Sequence, residues 1–364
     1  MRGMIIMSGD FMEFKRESIF ISAVRSLCNT FAGMIGIIIG VVILGIVIAM
    51  FSSPSMVSER TEFIIAPDAK GNRHLLPHKT PAILRLNIHG VIGSRNLNAK
   101  TLETQLYDSR EGLLQNDRVH AVLLHINSPG GTAFDAHDMY RSLVEYKKRH
   151  NVPIYAFVDG LCASGGMMIA CAADKIYSNP IGVIGSVGVL LGPNFNVAGF
   201  MDKYGVKELT LTKGIDKDAL SPFRPWKPGE EAMLKDIVDY DYNVFVDLVS
   251  SARPKLTKEK LMNVYGARVY DPIKAEEYGY IDDGKSSYSA ALTALVDEAK
   301  IDEDYQVVEL KVIHPVFSDL IDGNSSLFAG KLRHEHRIAH QLPDYLTNRP
   351  LYLYSPALQW IDDK

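Results

Sequence analysis

Ser164 stands in Gly160-Leu161-Cys162-Ala163-Ser164-Gly165-Gly166, a run of small residues between two apolar stretches, Pro153 to Val158 before it and Met167 to Ala173 after it. A hydroxyl carried in by a strand and followed at once by a helix has two uses. It can attack a carbonyl, because the first N–H groups and the peptide dipole of a helix favour the developing negative charge. It can also simply cap the helix in a close-packed turn. Attack requires a base. No histidine lies between His150 and His314. Of the earlier ones, His125 alternates with the apolar side of a strand and His150 ends a charged helix, so these read as structural or solvated, as do His89, His120 and His137. Lysine serves as a base only where burial lowers its pKa. Residues 211–222 hold two, Lys213 and Lys217, with Asp216 and Asp218 flanking the second. A solvated loop fits that segment equally well, and residue chemistry alone leaves the choice open.

The elements that would position these groups are those of an α/β sheet. Residues 82–88, 120–126, 153–158 and 175–178 read as buried strands, and 98–114 and 133–150 as helices between them. In the second helix Met139, Leu143, Val144 and Tyr146 are expected to face inward. Strand–helix alternation with short connections implies βαβ units, a parallel sheet and right-handed crossovers. The first three strands end in glycine-containing loops, Gly90, Gly130-Gly131 and Gly160 among them, at the carboxyl edge where α/β sites collect. Residues 181–191 are apolar and glycine-rich, suited to a strand or a ligand-lining segment. A helix is expected over 230–253 and a strand over 305–313, with no clear period beyond.

The net charge of −4, with no basic stripe, argues against a nucleic-acid partner. The three cysteines have no metal-type spacing and read as structural thiols. Residues 31–51 are uncharged and of bilayer length. They are read as an uncleaved transmembrane signal anchor. Lys15, Arg16 and Arg25 precede this span while Arg60 and Lys70 follow it, a slight positive-inside bias that leans towards residues 1–30 in the cytoplasm and the large domain on the other side of a cell (inner) membrane. Residues 52–79, with Pro54, Pro67, Gly71 and Pro77, read as a tether.

Taken in order, Ile126 to Gly131, Gly160 to Gly166, Ala172 to Pro180, Ile184 to Val189, Lys217 to Arg224, Ala267 to Tyr270 and Ala275 to Asp282 resemble the motifs of the signal peptide peptidase A family, over roughly residues 80–315. The resemblance implies a Clp/crotonase-like fold and a Ser/Lys dyad. Ser164 would be the nucleophile and Lys217 the base, with Lys213 second because the family's lysine precedes an acidic residue and then Ser-Pro. Backbone N–H groups of Gly130 or Gly131 and of Gly165 would hold the oxyanion. Ser186 and Ser221 would orient the lysine or serve as turn residues, and Gly185 and Val187 would line a groove for apolar side chains. No cofactor and no metal are implied. The substrates would be peptides, remnant signal peptides above all, and the protein would be a homo-oligomeric ring bound to membrane lipid through residues 31–51. Met167-Met168 depart from the aromatics many members carry there, and residues 316–364 have no counterpart. Two other classes use similar parts: a crotonase-like acyl-CoA enzyme, which generally needs a carboxylate and has no use for an anchor, and a catalytically inactive peptide-binding scaffold.

Overall fold

Apolar strands become a sheet here because each alternates its side chains between two covered faces. The computed structural model describes residues 19–51, 60–302, 304–313 and 351–353. The chain divides into two units, residues 1–58 and 59–364.

The first unit contains one helix, α1 (Ile19–Phe51), in which Ala23–Gly45 is long and apolar enough to cross a bilayer, with a mean hydropathy of 2.3. The helix starts well before Phe31 and includes Arg25. The uncharged run marks only part of it, because serine, threonine and a single arginine continue a helix at little cost.

The second unit runs β1 (Arg60–Ile65), β2 (Ala82–His89), α2 (Ala99–Asp108), β3 (Val119–Ser128), β4 (Gly130–Thr132), α3 (Ala133–His150), β5 (Ile154–Ala163), α4 (Gly165–Ala170), β6 (Lys175–Ser178) and β7 (Val183–Gly185). It continues through α5 (Ala198–Lys203), α6 (Ala232–Ala252), α7 (Lys258–Lys260), β8 (Val269–Tyr270), α8 (Pro272–Tyr278), α9 (Tyr288–Glu298), β9 (Gln306–Ile313) and β10 (Leu351–Leu353). The main sheet has the order β1-β9-β2-β3-β5-β7-β8, with β6 also paired to β5. Its centre is parallel, and β1 and β8 close the two edges antiparallel.

One face of the sheet (Leu84, Leu86, Ile88, Leu124, Ile126, Ala156, Val158) packs on α2, α3, α4 and the C-terminal half of α6. The other (Ile83, Leu123, Tyr155, Phe157) packs on Ala291, Leu292 and Leu295 of α9. Asn98 and Thr132 cap α2 and α3 by accepting from the backbone N–H of Thr101 and Asp135.

Several boundaries differ from expectation. Residues 60–65, read as tether, form the edge strand β1 on β9, because a strand can build on a partner almost 250 positions away that a local window does not see. The expected helix over 98–114 ends at Asp108, followed by a short 3-10 turn at Gly112–Leu114. Val144 is exposed while Met139, Leu143 and Tyr146 are buried, since 144 falls beside the inward stripe. Of 181–191 only Val183–Gly185 is strand. Within the C-terminal extension 316–364, Leu351–Leu353 is described and is a strand; the rest, with residues 1–18, lies outside the described residues.

Candidate active site

The third strand of the expected pattern runs further than its apolar core, from Ile154 to Ala163, and stops at Ser164. Ser164 takes φ 55° and ψ −117°, a conformation side-chain-bearing residues avoid. Two backbone bonds hold it there: its N–H donates to Gly185 O at 2.9 Å, and its carbonyl accepts from Met168 N at 3.0 Å. The Gly166 site cannot take a larger residue freely, because a Cβ there would come within 3.0 Å of Ser128 O. Ser164 does not cap α4 with its side chain. Its Oγ is buried, makes no hydrogen bond, and the residue is 1% exposed. The capping alternative therefore fails, and a strained, orphaned hydroxyl is left at the head of a helix. Such an exception to polar satisfaction marks a reactive group more than a structural one.

The neighbouring thiols offer no competitor. Burial pushes Cys162 far above its ordinary range and Cys171 up to about 12, so both stay protonated and unreactive.

The glycine loop of β3–β4 lies beside this turn, with Ser128 paired to Cys162. Gly130 takes φ 95°, which glycine alone adopts freely. Ser128, to which residue patterns assign no separate role, is the clasp of this loop. Its Oγ donates to Gly90 O at 2.7 Å and accepts the Gly130 N–H at 3.1 Å. Of the candidate oxyanion amides, that of Gly130 is thus already engaged by Ser128. Gly131 is pressed on Ile92, whose carbonyl oxygen a Cβ at 131 would meet at 1.9 Å. Gly165 opens α4 directly after the nucleophile.

Gly185 accepts from Ser164 N, takes φ 124° and abuts Arg268 O, so it fixes the serine and does not simply border a groove. Val187, read as groove lining, is 1% exposed and belongs to the main core cluster. Ser186 takes φ 55° and donates its N–H to Arg268 O at 2.7 Å. Ser221 sits in a local turn, its Oγ accepting from Phe223 N at 3.4 Å.

Lys217 and Lys213 are both exposed, and among the described residues neither makes a hydrogen bond or ion pair. Since Ser164 Oγ has no partner, the Lys217 ammonium does not reach it within this chain. The segment carrying Lys217 is nonetheless built. Arg224 bonds Asp218 through Nε at 2.7 Å and also grips Glu230, whose carboxyl this guanidinium holds down at about 2. That clasp had no signature beyond scattered charges. His125 and His89 belong to the α9 face, with His125 packed on Phe157 and Tyr288, so neither is a base for Ser164. Among the described residues no cluster of histidine, cysteine and carboxylates could hold a metal.

A parallel α/β sheet presenting a strained, unpartnered serine at a strand-to-helix turn beside a glycine loop is the framework of a serine hydrolase. Residues 146–302 match peptidase family S49. The chain is 31% identical over 235 residues to a putative signal peptide peptidase SppA of Enterococcus faecium, covering 63% of this chain and 67% of that protein. It is 30% identical over 264 residues to the putative protease slr0021 of Synechocystis, covering 69% of this chain and 88% of that one. A ClpP1 mutant of Listeria monocytogenes superposes with a TM-score of 0.38 at 16% identity, over 57% of this chain and 94% of that structure. The chain belongs to peptidase family S49 and is a serine peptidase.

Proposed function

We propose that this protein is a membrane-anchored endopeptidase in which Ser164 attacks a peptide carbonyl and Lys217 takes the serine proton. The orphaned, strained hydroxyl of Ser164 carries this reading. The oxyanion is held by the amide of Gly165 together with that of Gly131, or with that of Gly130 if it leaves Ser128 Oγ, and the acyl-enzyme is then hydrolysed. Ser186 and Ser221 are retained as orienting groups for the lysine once it is in place. Helix α1 anchors the chain, residues 1–30 lie in the cytoplasm, and residues 80–315 act on the other side of the membrane on extended apolar peptides such as released signal peptides. That substrate class comes from the family resemblance and from the name of the Enterococcus relative. The acyl-CoA and inactive-scaffold readings have nothing comparable in their favour, since the serine is intact and strained for attack.

The lysine reaches the serine when copies associate. Phe195, Phe200, Leu209, Leu211 and Ile215, which precede Lys217 in the chain, are all exposed, Ile215 at 95%, as are Met233 and Ile237 of α6. Exposed apolar side chains on the segment that carries the missing base are what self-association would cover.

The test is hydrolysis of a synthetic signal peptide by the chain from Ser55 onward. Ser164→Ala and Lys217→Ala should each lose on the order of a thousandfold or more in kcat, as loss of a nucleophile or base does elsewhere. Activity retained by Ser164→Ala sinks the reading; activity lost in Lys213→Ala but kept in Lys217→Ala moves the base to Lys213.

A further inference from the structure

The C-terminal halves of α2 and α3 do not close on each other completely. Between them lies a cavity of about 300 Å³, lined by Leu106, Tyr107 and Arg110 from α2 and the turn after it, and by Ser142, Tyr146 and His150 from α3. Small-molecule sites start at about this size, on the order of 300–1,000 Å³. It is not the catalytic groove. α2 leads towards the start of β3 and α3 into the start of β5, whereas Ser164 stands at the far end of β5. Ten residues of strand, about 30 Å, separate the two edges.

Arg110 sets this wall apart. Its guanidinium lies over the Tyr146 ring, 4.8 Å from the centroid. Its Nε and Nη2 are shut off from water and have no acceptor. Its Nη1 has Asp117 at 3.4 Å, a long bond to a carboxylate that is itself 90% exposed. A guanidinium with two buried, unpaired nitrogens is an exception to polar satisfaction and calls for an acceptor. Turning the fork off Tyr146 into the cavity gives up one long bond and a ring contact. It then offers a carboxylate two parallel N–H donors. Cations gather at this spot: burial first, then the charges of Arg110 and Arg149, hold His150 below its ordinary range, so it stays neutral at pH 7. Yet Glu103, Glu111 and Glu145 also line the cavity. A simple anion or a simple cation is repelled by part of such a wall, while a molecule carrying both charges is not. Leu106, Tyr107 and Tyr146 supply the apolar contact.

We propose that this cavity binds a small zwitterion of amino-acid size with an apolar or aromatic side chain, its carboxylate on Arg110, its ammonium among the glutamates and its side chain against Tyr107. Nothing in this depends on Ser164 being the nucleophile. The test is isothermal titration of the full chain in detergent micelles with L-phenylalanine. Two blocked analogues are run beside it: N-acetylphenylalanine, without the ammonium, and phenylalaninamide, without the carboxylate. Each should bind at least about tenfold more weakly than phenylalanine, the loss of one charge-assisted contact. Arg110→Met keeps the length of the side chain and removes its donors. It should weaken phenylalanine at least about tenfold and leave phenylalaninamide within about twofold. Tyr107→Ala changes a side chain that is 58% exposed, so folding is not at stake. It should weaken all three ligands alike, about fivefold. No saturable binding at millimolar phenylalanine overturns the proposal, and so does binding that neither substitution alters, since the ligand then sits elsewhere. N-acetylphenylalanine binding as tightly as phenylalanine overturns it too, because the site is then a plain anion site. Binding needs no hydrolysis, so the activity of Ser164→Ala decides the nucleophile and leaves this result untouched.

Discussion

At Ser164 the backbone conformation and the buried, unbonded Oγ both cost stability, the orphaned hydroxyl alone about 1–3 kcal/mol. A site that stores such a cost should become more stable when the reactive atom is removed. Ser164→Ala deletes the hydroxyl and keeps the Cβ, so it should raise the unfolding free energy by about 1 kcal/mol, a few degrees in Tm, while abolishing hydrolysis. Urea unfolding of the two proteins decides this. A fall in stability would mean that Oγ has a structural partner after all. The serine was legible in the chain because small residues cluster on both sides of it. What no residue pattern revealed was Ser128, whose Oγ ties Gly90 O to Gly130 N across a turn. A serine in Ser-Pro-Gly-Gly looks like any turn serine until its two partners are placed.

Strands and helices repeat that contrast. Buried strands leave apolar runs, so β2, β3 and β9 stood out within a residue or two, while β5 was legible only as far as Val158 and runs on to Ala163. The edges did not stand out. β1 mixes Arg60, Thr61 and Glu62 with Phe63, and it exists only because β9 pairs with it. Helices α8 and α9 begin with standard caps, Asp271 before Pro272 and Ser287 accepting from Ala290 N, but are too short and mixed to show a strong period. The polar end of the sheet's α9 face is likewise a product of packing. His125 Nδ1 lies 2.7 Å from His89 Nε2 and 3.3 Å from Arg85, and its Nε2 lies 3.7 Å from Asp159; Tyr288 of α9 packs edge-on against its ring, and Arg85 pairs onward with Glu309 of β9. Burial first, then the charges of Arg85 and His89, push His125 down to about 3. The folded state thus refuses a proton that the unfolded chain accepts near pH 6.5. Stability should be complete above that pH and decline as pH falls towards 3, by at most about 1.4 kcal/mol per unit for this one group. His125→Asn should flatten that part of the profile in unfolding measured from pH 7 to 4; an unaltered slope would assign it to other groups.

For the molecule as a whole, the decisive fact is that the two proposed partners of the dyad do not meet within one chain. Ser164 is buried in the rigid sheet unit and Lys217 stands exposed on a segment rich in exposed apolar residues. Sequence motifs can place both residues on a list, but they carry no information on whether a site closes within one copy or between two. If each site takes its serine from one copy and its lysine from the next, two dead variants complement each other. Equimolar Ser164→Ala and Lys217→Ala, dissociated and reassembled together, should recover roughly a quarter of parental kcat at random mixing in a head-to-tail ring, because one junction in four then pairs an intact serine with an intact lysine. Ile215→Lys in both variants should lower the assembly's mass by light scattering and abolish the recovery without loss of helical signal. Mixtures that stay inactive although they co-assemble would show that the lysine must come from the same chain, through rearrangement of the segment that Arg224 clasps.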